Sequence, residues 1–408
     1  MFAPLATLFH SPVFQVFGQI YDIFLMTAFV WGPALAIWLA KTLWLSYLRA
    51  AYIQKNFDFV LLEIKLPRVI EKTPLAMELV LQSLYQFHPS DWYDTWWKGE
   101  VQTWFSLEIV SIEGNVKFFI RTSRKFKRVI ESHVYAQYPD IEVLEVKDYV
   151  SLAPYTQEKD KWNLWGTEFI LTKPDPYPIK TYVDYGLDQT LTPEEMKSDP
   201  ITSLIEFLGS IGRGQQIWLQ ILVQPNAKRF KTPGKYFAHH GWVDEGKLLI
   251  KQLQEKSVDK EGPKQTKREG EVVHAIERSL SKLGFDCGIR AIYIAKNEFF
   301  DRTMSAGVLT LFAHYGSQDL NGFKPKFYTS ISHPWEDYHD IRLKKKKERI
   351  FDAYVRRSYF YPPYPRKPFV LNTEELATIF HFPGGVAETP TFTRIDSRKG
   401  EPPANLPV

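Results

Sequence analysis

The densest group of residues able to do chemistry in this 408-residue sequence is a basic, aromatic run at residues 341–368. It holds ten lysines and arginines against two acidic residues, Glu348 and Asp352. Basic side chains neutralise phosphates and aromatic rings stack on unpaired bases, so the run favours binding of nucleic acid or of anionic lipid headgroups. The alternative is a solvated helix face whose aromatics pack inward. The candidate binding residues are Arg342, Lys344, Lys345, Lys346, Lys347, Arg349, Arg356, Arg357 and Tyr359.

No nucleotide-hydrolysis motif accompanies this run. A P-loop needs the pattern G-x-x-x-x-G-K-[ST], which lets backbone amides and a lysine cradle phosphates. The Gly-Lys pairs at Gly234 and Gly246 are followed by Tyr236 and Leu248, and neither has a glycine at the required offset. We therefore expect no Walker-type ATP hydrolysis. No G-x-S-x-G or paired-carboxylate motif stands out either, so we predict a chain that is not an enzyme and needs no cofactor.

A metal-dependent enzyme is the third hypothesis. The segment HPWEDYHD supplies nitrogen and oxygen ligand types at His333, Glu336, Asp337, His339 and Asp340. Their spacing matches no zinc signature such as H-E-x-x-H. A polar turn between two elements is the favoured interpretation, and we assign no metal site.

The elements that must position these residues begin with an uncharged segment at residues 23–40. As a helix rising ~1.5 Å per residue, it nearly crosses a hydrocarbon core of ~30 Å. Basic residues such as Lys41 and Arg49 follow it and none precedes it, so the positive-inside rule places the N-terminus outside and the bulk in the cytoplasm. Cys287, the single cysteine, fits a reducing compartment. We predict a single-pass inner-membrane protein, in which the apolar residues 1–21 lie in the interface or begin a longer span.

Beyond the anchor, the order of strand and helix signals is βαββαβ. The predicted strands are 57–66, 103–112, 115–122 and 141–147, and the predicted helices are 73–87 and 123–138. Glu113-Gly114 is a hairpin turn signal between the two middle strands. This order is that of the split βαβ, or ferredoxin-like, arrangement.

An aromatic connection interrupts this order before the second strand. Its large rings are those of Trp92, Tyr93, Trp96, Trp97, Trp104 and Phe105. We expect these rings to pack against the sheet as core. The alternative is a subunit contact or a contact with the membrane interface.

A similar order recurs farther along the chain. Strands are predicted at 162–172, 215–224 and 288–295, and helices at 193–211 and 268–283, around a polar insertion at 225–266. The predicted fold class is α+β, with one transmembrane helix, two ferredoxin-like cytoplasmic units and a C-terminal helical and linker segment. The predicted domains are an anchor (1–50), two α+β domains (51–150 and 151–300), a helical basic-aromatic segment (301–382) and a Pro/Gly-rich tail (383–408).

Two stretches carry a family resemblance, VLLEIKLPRVIEKTPLAMELVLQSLYQF at 60–87 and RIFDAYVRRSYFYPPYPRKPFVLNTEELATIFHFPGGVAETPTFTRIDSRKGEPPANLP at 349–407. They resemble the region before the motor in membrane-anchored type IV secretion and conjugative-transfer ATPases of the coupling-protein and HerA-like kind. In that family a membrane helix precedes α+β domains, and a Pro-rich linker leads to a RecA-like motor. The motor is absent from this sequence, so no catalytic residue carries over. The motor is then either a separate polypeptide or lost from a split or truncated form.

The resemblance implies a non-catalytic membrane platform that docks or positions a DNA-translocating ATPase. The expected partners are the membrane and a P-loop ATPase in trans, and DNA and a homo-oligomer are left open. The residues expected to dock the partner are Glu374, Glu375, Leu376, Phe380 and His381. The second hypothesis is a membrane-tethered module that binds nucleic acid through residues 341–368.

Overall fold

The computed structural model describes residues 16, 19, 22–67, 70, 72–88, 91–156, 161–188, 199–226, 230–231, 239–256, 258–259, 262–263, 267–331, 335 and 337–384. These residues divide between two compact units. The first comprises Met1–Asn56 and Ser90–Val101, and the second comprises Phe57–Pro89 and Gln102–Val408.

The main element of the first unit is helix α1, Ala28–Asn56, of 29 residues. None of its residues is buried, and it is long and apolar enough to cross a membrane. The predicted N-terminal apolar helix is therefore confirmed as a helix. Pro33 lies inside α1, and a membrane helix tolerates such a proline better than a soluble helix does. A five-residue π-helical turn, Asp94–Lys98, belongs to the same unit.

The aromatic connection does not form one core cluster. Trp92, Tyr93 and Trp97 are exposed in the first unit, whereas Trp104 and Phe105 are buried in the second. The prediction that these rings pack together as core was wrong for the first three. Phe105 is the first residue of β2 (Phe105–Ile112), a strand that is buried in the sheet. The three exposed rings lie in or next to the helical turn Asp94–Lys98, which precedes that strand.

The second unit begins with the predicted βαββαβ order. Its elements are β1 (Phe59–Lys65), α2 (Pro74–Ser83), β2 (Phe105–Ile112), β3 (Asn115–Ser123), α3 (Lys127–Gln137) and β4 (Glu142–Val146). Pro74 starts α2 at a position where a missing amide proton costs nothing. Glu113 and Gly114 both have positive φ, 53° and 87°, so the predicted hairpin turn between β2 and β3 is confirmed.

The chain continues with a second, more decorated set of elements. These are β5 (Trp162–Leu171), α4 (Pro200–Gly209), β6 (Gln215–Pro225), the short strands β7 (Phe230–Lys231) and β8 (His239–His240), α5 (Trp242–Lys256), the short strands β9 (Val258–Asp259) and β10 (Gly262–Pro263), α6 (Lys267–Leu280), β11 (Gly284–Lys296), α7 (Arg302–Leu309), β12 (Phe323–Tyr328), α8 (Ile341–Val355), β13 (Phe369–Asn372) and α9 (Thr373–Ile379). Strand β12 lies in the segment predicted to be helical. Its proline, Pro325, falls at a bulge, where proline is tolerated.

One antiparallel sheet holds the long strands of both sets, in the order β12–β5–β11–β6–β2–β3–β1–β4, with β13 also paired to β11. The short strands pair separately, β7 with β8 and β9 with β10. The two halves meet at β2 and β6, in register from Phe105 opposite Val223 to Ile112 opposite Gln216. The expected boundary near residue 150 therefore does not separate two bodies. Both strands are almost entirely buried, and either strand as a free edge would leave its backbone N–H and C=O groups without strand partners.

The sheet is covered on both faces. Helices α2, α3, α4 and α9 contribute to the larger hydrophobic cluster. The smaller cluster, on the other face, contains Trp218 of β6, Ile350 and Phe351 of α8, and Tyr149. The C-terminal half of helix α8 therefore packs on this face of the sheet. The lysine run lies nearer the N-terminal end of the helix.

Candidate anion-binding surface and its buried support

The start of α8 is held by an aspartate and not by a residue of its own first turn. The Asp337 carboxylate accepts the amide protons of Arg342 at 2.8 Å and Leu343 at 2.7 Å. His339 and Asp340 both adopt left-handed backbone angles just before the helix. No acidic residue lies in the first turn, so the lysines there oppose the helix dipole. The Asp337 carboxylate offsets part of that repulsion, and an anionic ligand would add to its effect.

Five of the predicted binding residues lie on the exposed surface of this helix and its end: Arg342, Lys344, Lys345, Arg349 and Arg356. Two of them already have partners. Arg356 donates from Nε to the Asp352 carboxylate at 2.8 Å, and the Arg349 guanidinium lies 5.7 Å from the Tyr364 ring centroid. Arg342, Lys344 and Lys345 therefore form the accessible basic patch, the name used for these three residues below.

Lys346 and Lys347 have a different role, because both are half-buried. Lys346 donates to the Ser330 carbonyl at 3.3 Å, and Lys347 donates to Asn163 Oδ1 at 2.6 Å. Burial lowers the pKa of Lys347. These two ammonium groups bind α8 to β5 and to the segment after β12. They are therefore engaged within the fold and are not available to bind an anionic ligand.

Arg357 and Tyr359, also predicted to bind nucleic acid, lie in the interior, so the structure corrects that assignment. Arg357 is 1% exposed and Tyr359 is 3% exposed. The Tyr359 ring covers Gly288 of β11, where a Cβ atom would lie 2.4 Å from two ring atoms. Phe351 and Tyr354 are buried as well. The rings of Phe351, Tyr354 and Tyr359 therefore pack inward as core, and they are not available to stack on unpaired bases.

Arg357 is the centre of a buried ionic cluster. Its guanidinium donates to both oxygens of Glu108, at 3.0 and 3.1 Å, and also pairs with Asp148. Burial alone would raise the pKa of Glu108, but Arg357, with hydrogen bonds from Ser106 and Tyr149, lowers it to about 2. The carboxylate is therefore ionised at every physiological pH. Geometry of this kind positions the chain after α8 against β2, and it offers no open site for a substrate.

The residues expected to dock a partner are equally internal. Glu374, Glu375, Leu376, Phe380 and His381 are each 2% exposed or less. Asn372 and Glu375 form a reciprocal capping box at the start of α9. The structure therefore corrects the docking assignment: these side chains are turned inward, where they hold the fold together.

The polar members of this group have specific partners. Glu374 accepts a hydrogen bond from Thr181 at 2.6 Å and pairs with Arg278 at 3.2 Å. His381 Nε2 lies 3.0 Å from Asp199. Each side chain is thereby tied to a distant part of the same unit, which explains why the phrase EELATIFHF is so dense in charge and yet buried.

Other candidates give weaker sites. A cavity of about 640 Å³ beside α6 is lined by both basic and acidic residues, and these pair with each other: Arg268 with Asp319, and Arg278 with Asp184. Of the metal-like segment, His333 and Glu336 lie outside the described residues. Within the ranges that the structure covers, no group of three or more His, Cys, Asp or Glu side chains is placed to hold a metal ion.

Sequence reasoning missed the Glu108–Arg357 pair, whose members are 249 residues apart. The available signal was a single glutamate in the apolar strand FSLEIVSI, because a charge in such a strand needs a buried partner. Nothing in the sequence pattern indicated which of the many arginines would supply it.

Comparison with known proteins gives one match. Residues 61–394 match a family model described as a domain of unknown function (DUF8128). The matched range begins after α1 and includes every helix from α2 to α9. No curated protein matches the sequence.

Proposed function

The chain belongs to the DUF8128 family, whose function is unknown, and on that premise we propose that it is a non-catalytic membrane platform. Helix α1 anchors it as a single span in the cytoplasmic membrane, with the N-terminus outside and the folded unit in the cytoplasm. The folded unit positions a P-loop ATPase that translocates DNA. The observation that carries the proposal is that α1, 29 residues long and apolar, buries none of its residues in protein.

Solvation of its apolar side chains favours a membrane environment for α1. Val30, Ile37 and Leu43 of α1 are each more than 60% exposed. Leaving such side chains in water costs about 1.5–3 kcal/mol each, whereas lipid removes that cost. The positively charged residues that follow the apolar run favour a cytoplasmic C-terminal side.

We also propose that the folded unit consists of two ferredoxin-like halves joined edge to edge. If the four strands of each half are numbered along the chain, their order across the sheet in the first half is 4–1–3–2 (β4–β1–β3–β2). The second half repeats this order with β12–β5–β11–β6. The recurrence supports the resemblance to the α+β region of coupling-protein and HerA-like ATPases, which is the basis for naming an ATPase as the partner.

The test of the platform is recovery of the partner from native membranes. The tagged full chain is solubilised in mild detergent, captured, and analysed by mass spectrometry for proteins with a P-loop. An Arg357→Met variant, which retains α1 and loses the buried pair, controls for capture through the anchor alone. We expect a P-loop ATPase with the wild type and much less with the variant. Recovery of no such ATPase with the wild type contradicts the proposal.

A second function, binding of nucleic acid, is favoured by the accessible basic patch at the start of α8. Neutralising Arg342, Lys344 and Lys345 together is expected to weaken binding of duplex DNA. It should also reduce the slope of log affinity against log salt by roughly 2 to 3. The matched control removes the same charge from exposed lysines elsewhere, Lys247, Lys251 and Lys267. Equal effects of the two triple variants would exclude a specific role for α8.

A further inference from the structure

Three large aromatic side chains of the first unit project from one short stretch of chain. Trp92 is 69% exposed, Tyr93 is 56% exposed and Trp97 is 57% exposed. Rings of this size are rarely left in water in such numbers within nine residues, and exposed apolar groups of this kind mark contact surfaces. The stretch at residues 91–99 is called the tryptophan loop below.

The tryptophan loop is fastened alongside α1 by contacts at three levels. The Lys41 ammonium lies 4.3 Å from the centroid of the Trp96 ring. Farther along, Gly99 is so close to the helix that a Cβ atom there would lie 2.6 Å from the Leu48 carbonyl carbon. Gly99 has a φ of +68°, so only glycine meets both demands without strain.

The third contact lies just beyond the loop, where the Tyr52 hydroxyl donates to the Glu100 carboxylate at 3.1 Å. The three contacts occur in the same order along the loop and along α1: Trp96 contacts Lys41, Gly99 contacts Leu48, and Glu100 contacts Tyr52. The loop thus follows α1 over 11 helical residues, which is about 16 Å at the helical rise. Its depth relative to α1 is therefore defined by the contacts.

That depth coincides with the end of the uncharged segment. Residues 23–40 carry no charge and Lys41 is the first cation after them, so Lys41 marks the boundary between hydrocarbon and headgroups. Trp96 stacks on its ammonium, and the exposed rings flank Trp96 in the chain. Tryptophan and tyrosine are the side chains that prefer this interfacial zone, because each has an apolar ring and a polar group.

The polar residues of the loop fit the same position. Asp94 and Lys98 form an ion pair at 2.7 Å across the helical turn, and the Lys98 ammonium lies 5.6 Å from the Tyr93 ring centroid. Two of the three charges of the loop are thereby paired with each other, which lowers the cost of bringing them into a headgroup layer of lower polarity than water, and the third, Asp91, is exposed.

We propose that the tryptophan loop is a second membrane contact, whose exposed rings insert into the interfacial zone of the bilayer at the Lys41 end of the span. The inference rests on the proposed anchoring by α1. A single helix leaves its rotation and depth in the bilayer loosely defined, and an adjacent ring cluster fixes both. A lipid surface is favoured over a protein partner because the loop is registered to the level of the helix where such rings are most stable.

The experiment places a polarity-sensitive NBD fluorophore on single cysteines in the full chain, reconstituted in lipid nanodiscs. The labelled positions are Trp97→Cys and, as a second loop site, Trp92→Cys. Val30→Cys in the middle of α1 is the control for the span, and Leu152→Cys, an exposed apolar position of the second unit, is the control for water. Native Cys287 is buried, and wild-type protein taken through labelling gives the background. Each sample is measured with lipids that carry a nitroxide quencher either near the headgroup or deep in the acyl chain.

We expect both loop sites to show blue-shifted emission and roughly twofold stronger quenching by the shallow than by the deep nitroxide, as suits interfacial rings. Val30 should show the opposite preference, and Leu152 should show neither quenching nor shift. Quenching at Val30 without quenching at either loop site overturns the loop contact and leaves the anchor standing. A blue shift at the loop with no lipid quenching identifies a protein contact and also overturns it. No quenching at Val30 or at the loop contradicts the anchor and the loop together.

Discussion

The Arg357 guanidinium binds the Glu108 carboxylate side-on, with Nε 3.0 Å from Oε1 and Nη2 3.1 Å from Oε2, and neither side chain is more than 1% exposed. This geometry is bidentate, the strongest form of ion pair available to an arginine. Arg357 adopts a φ of 50°, a left-handed angle that an arginine rarely takes. The pair links β2 to the segment after α8, and it thereby keeps α8 on the sheet.

Replacing Arg357 by methionine is expected to destabilise the folded unit by about 3–5 kcal/mol, because Glu108 would be left as a buried charge without its main partner. The neighbouring Arg356 provides the matched control. Its side chain is 59% exposed and forms a surface ion pair with Asp352, so Arg356→Met should cost less than about 1 kcal/mol. Chemical denaturation of the chain in detergent micelles measures both. Similar losses for the two variants would show that the buried pair has no special importance.

Acid should destabilise the folded unit through the same carboxylate. The pKa of Glu108 is lowered to about 2 in the folded state, below its ordinary value of 4.5. The unfolded chain therefore takes up a proton at a pH where the folded chain does not. Stability is fully present above about pH 4.5 and is lost as pH falls toward 2, with roughly 2 kcal/mol gone by about pH 3.

The variant that tests this origin is Glu108→Gln combined with Arg357→Met, which removes both charges and leaves neither buried alone. Unfolding curves from about pH 5 to about pH 3 should be flatter for the double variant than for the wild type. An unchanged pH dependence would assign the acid sensitivity to other carboxylates.

Alkaline pH should destabilise the unit through Glu375, which has the opposite sign. Burial raises its pKa from 4.5 to about 8, although the backbone amides of Asn372 and Ile179 favour the ionised form. The folded state thus retains a proton that the unfolded chain releases. Stability is greatest below about pH 4.5 and falls by roughly 3 kcal/mol between about pH 5 and about pH 8.

Glu375→Gln is the informative replacement, because glutamine is uncharged and still suits this position of a capping box. Its absolute stability falls by the loss of one amide hydrogen bond, so the slope against pH is the quantity to compare. The slope between about pH 5 and about pH 8 should be clearly smaller in the variant. A slope equal to that of the wild type would mean that Glu375 does not retain a proton.

Glycine-to-alanine replacements at two positions should shift stability in opposite directions. At Gly288 the new methyl group would lie 2.4 Å from the Tyr359 ring, so Gly288→Ala is expected to cost about 1–3 kcal/mol. At Gly270 of α6 no atom of the described residues lies within 4 Å of the new methyl, so Gly270→Ala should stabilise by about 0.5–1 kcal/mol. Thermal melts in detergent distinguish the two, and a neutral Gly288→Ala would show that Tyr359 can move aside.

Local patterns were enough to predict the first half of the folded unit. The βαββαβ elements follow from apolar alternation, a proline at a helix start, and the Glu113-Gly114 turn, all of which act over a few residues. Strand β12 was missed, although its side chains alternate between half-buried and exposed along Phe323–Tyr328. Its proline and two lysines hid the period, because both are typical of edge strands and of loops.

The roles of the charged residues were much harder to predict. Lys344 and Lys347 are the first and last members of one run of four lysines, yet Lys344 is exposed whereas Lys347 is half-buried and donates to Asn163. Arg356 and Arg357 differ in the same way. Composition identifies such a run as basic, but which members face solvent depends on helix phase and on partners more than 150 residues away.

The central claim, that α1 anchors the platform in a membrane, is tested most directly by washing native membranes that contain the full chain with alkaline carbonate. Integral proteins stay in the pellet because their apolar helices remain in lipid, whereas peripheral proteins are released. The account predicts that the chain remains with the pellet, and that Val30→Asp shifts much of it to the supernatant. Release of the wild-type chain by the wash would contradict the account.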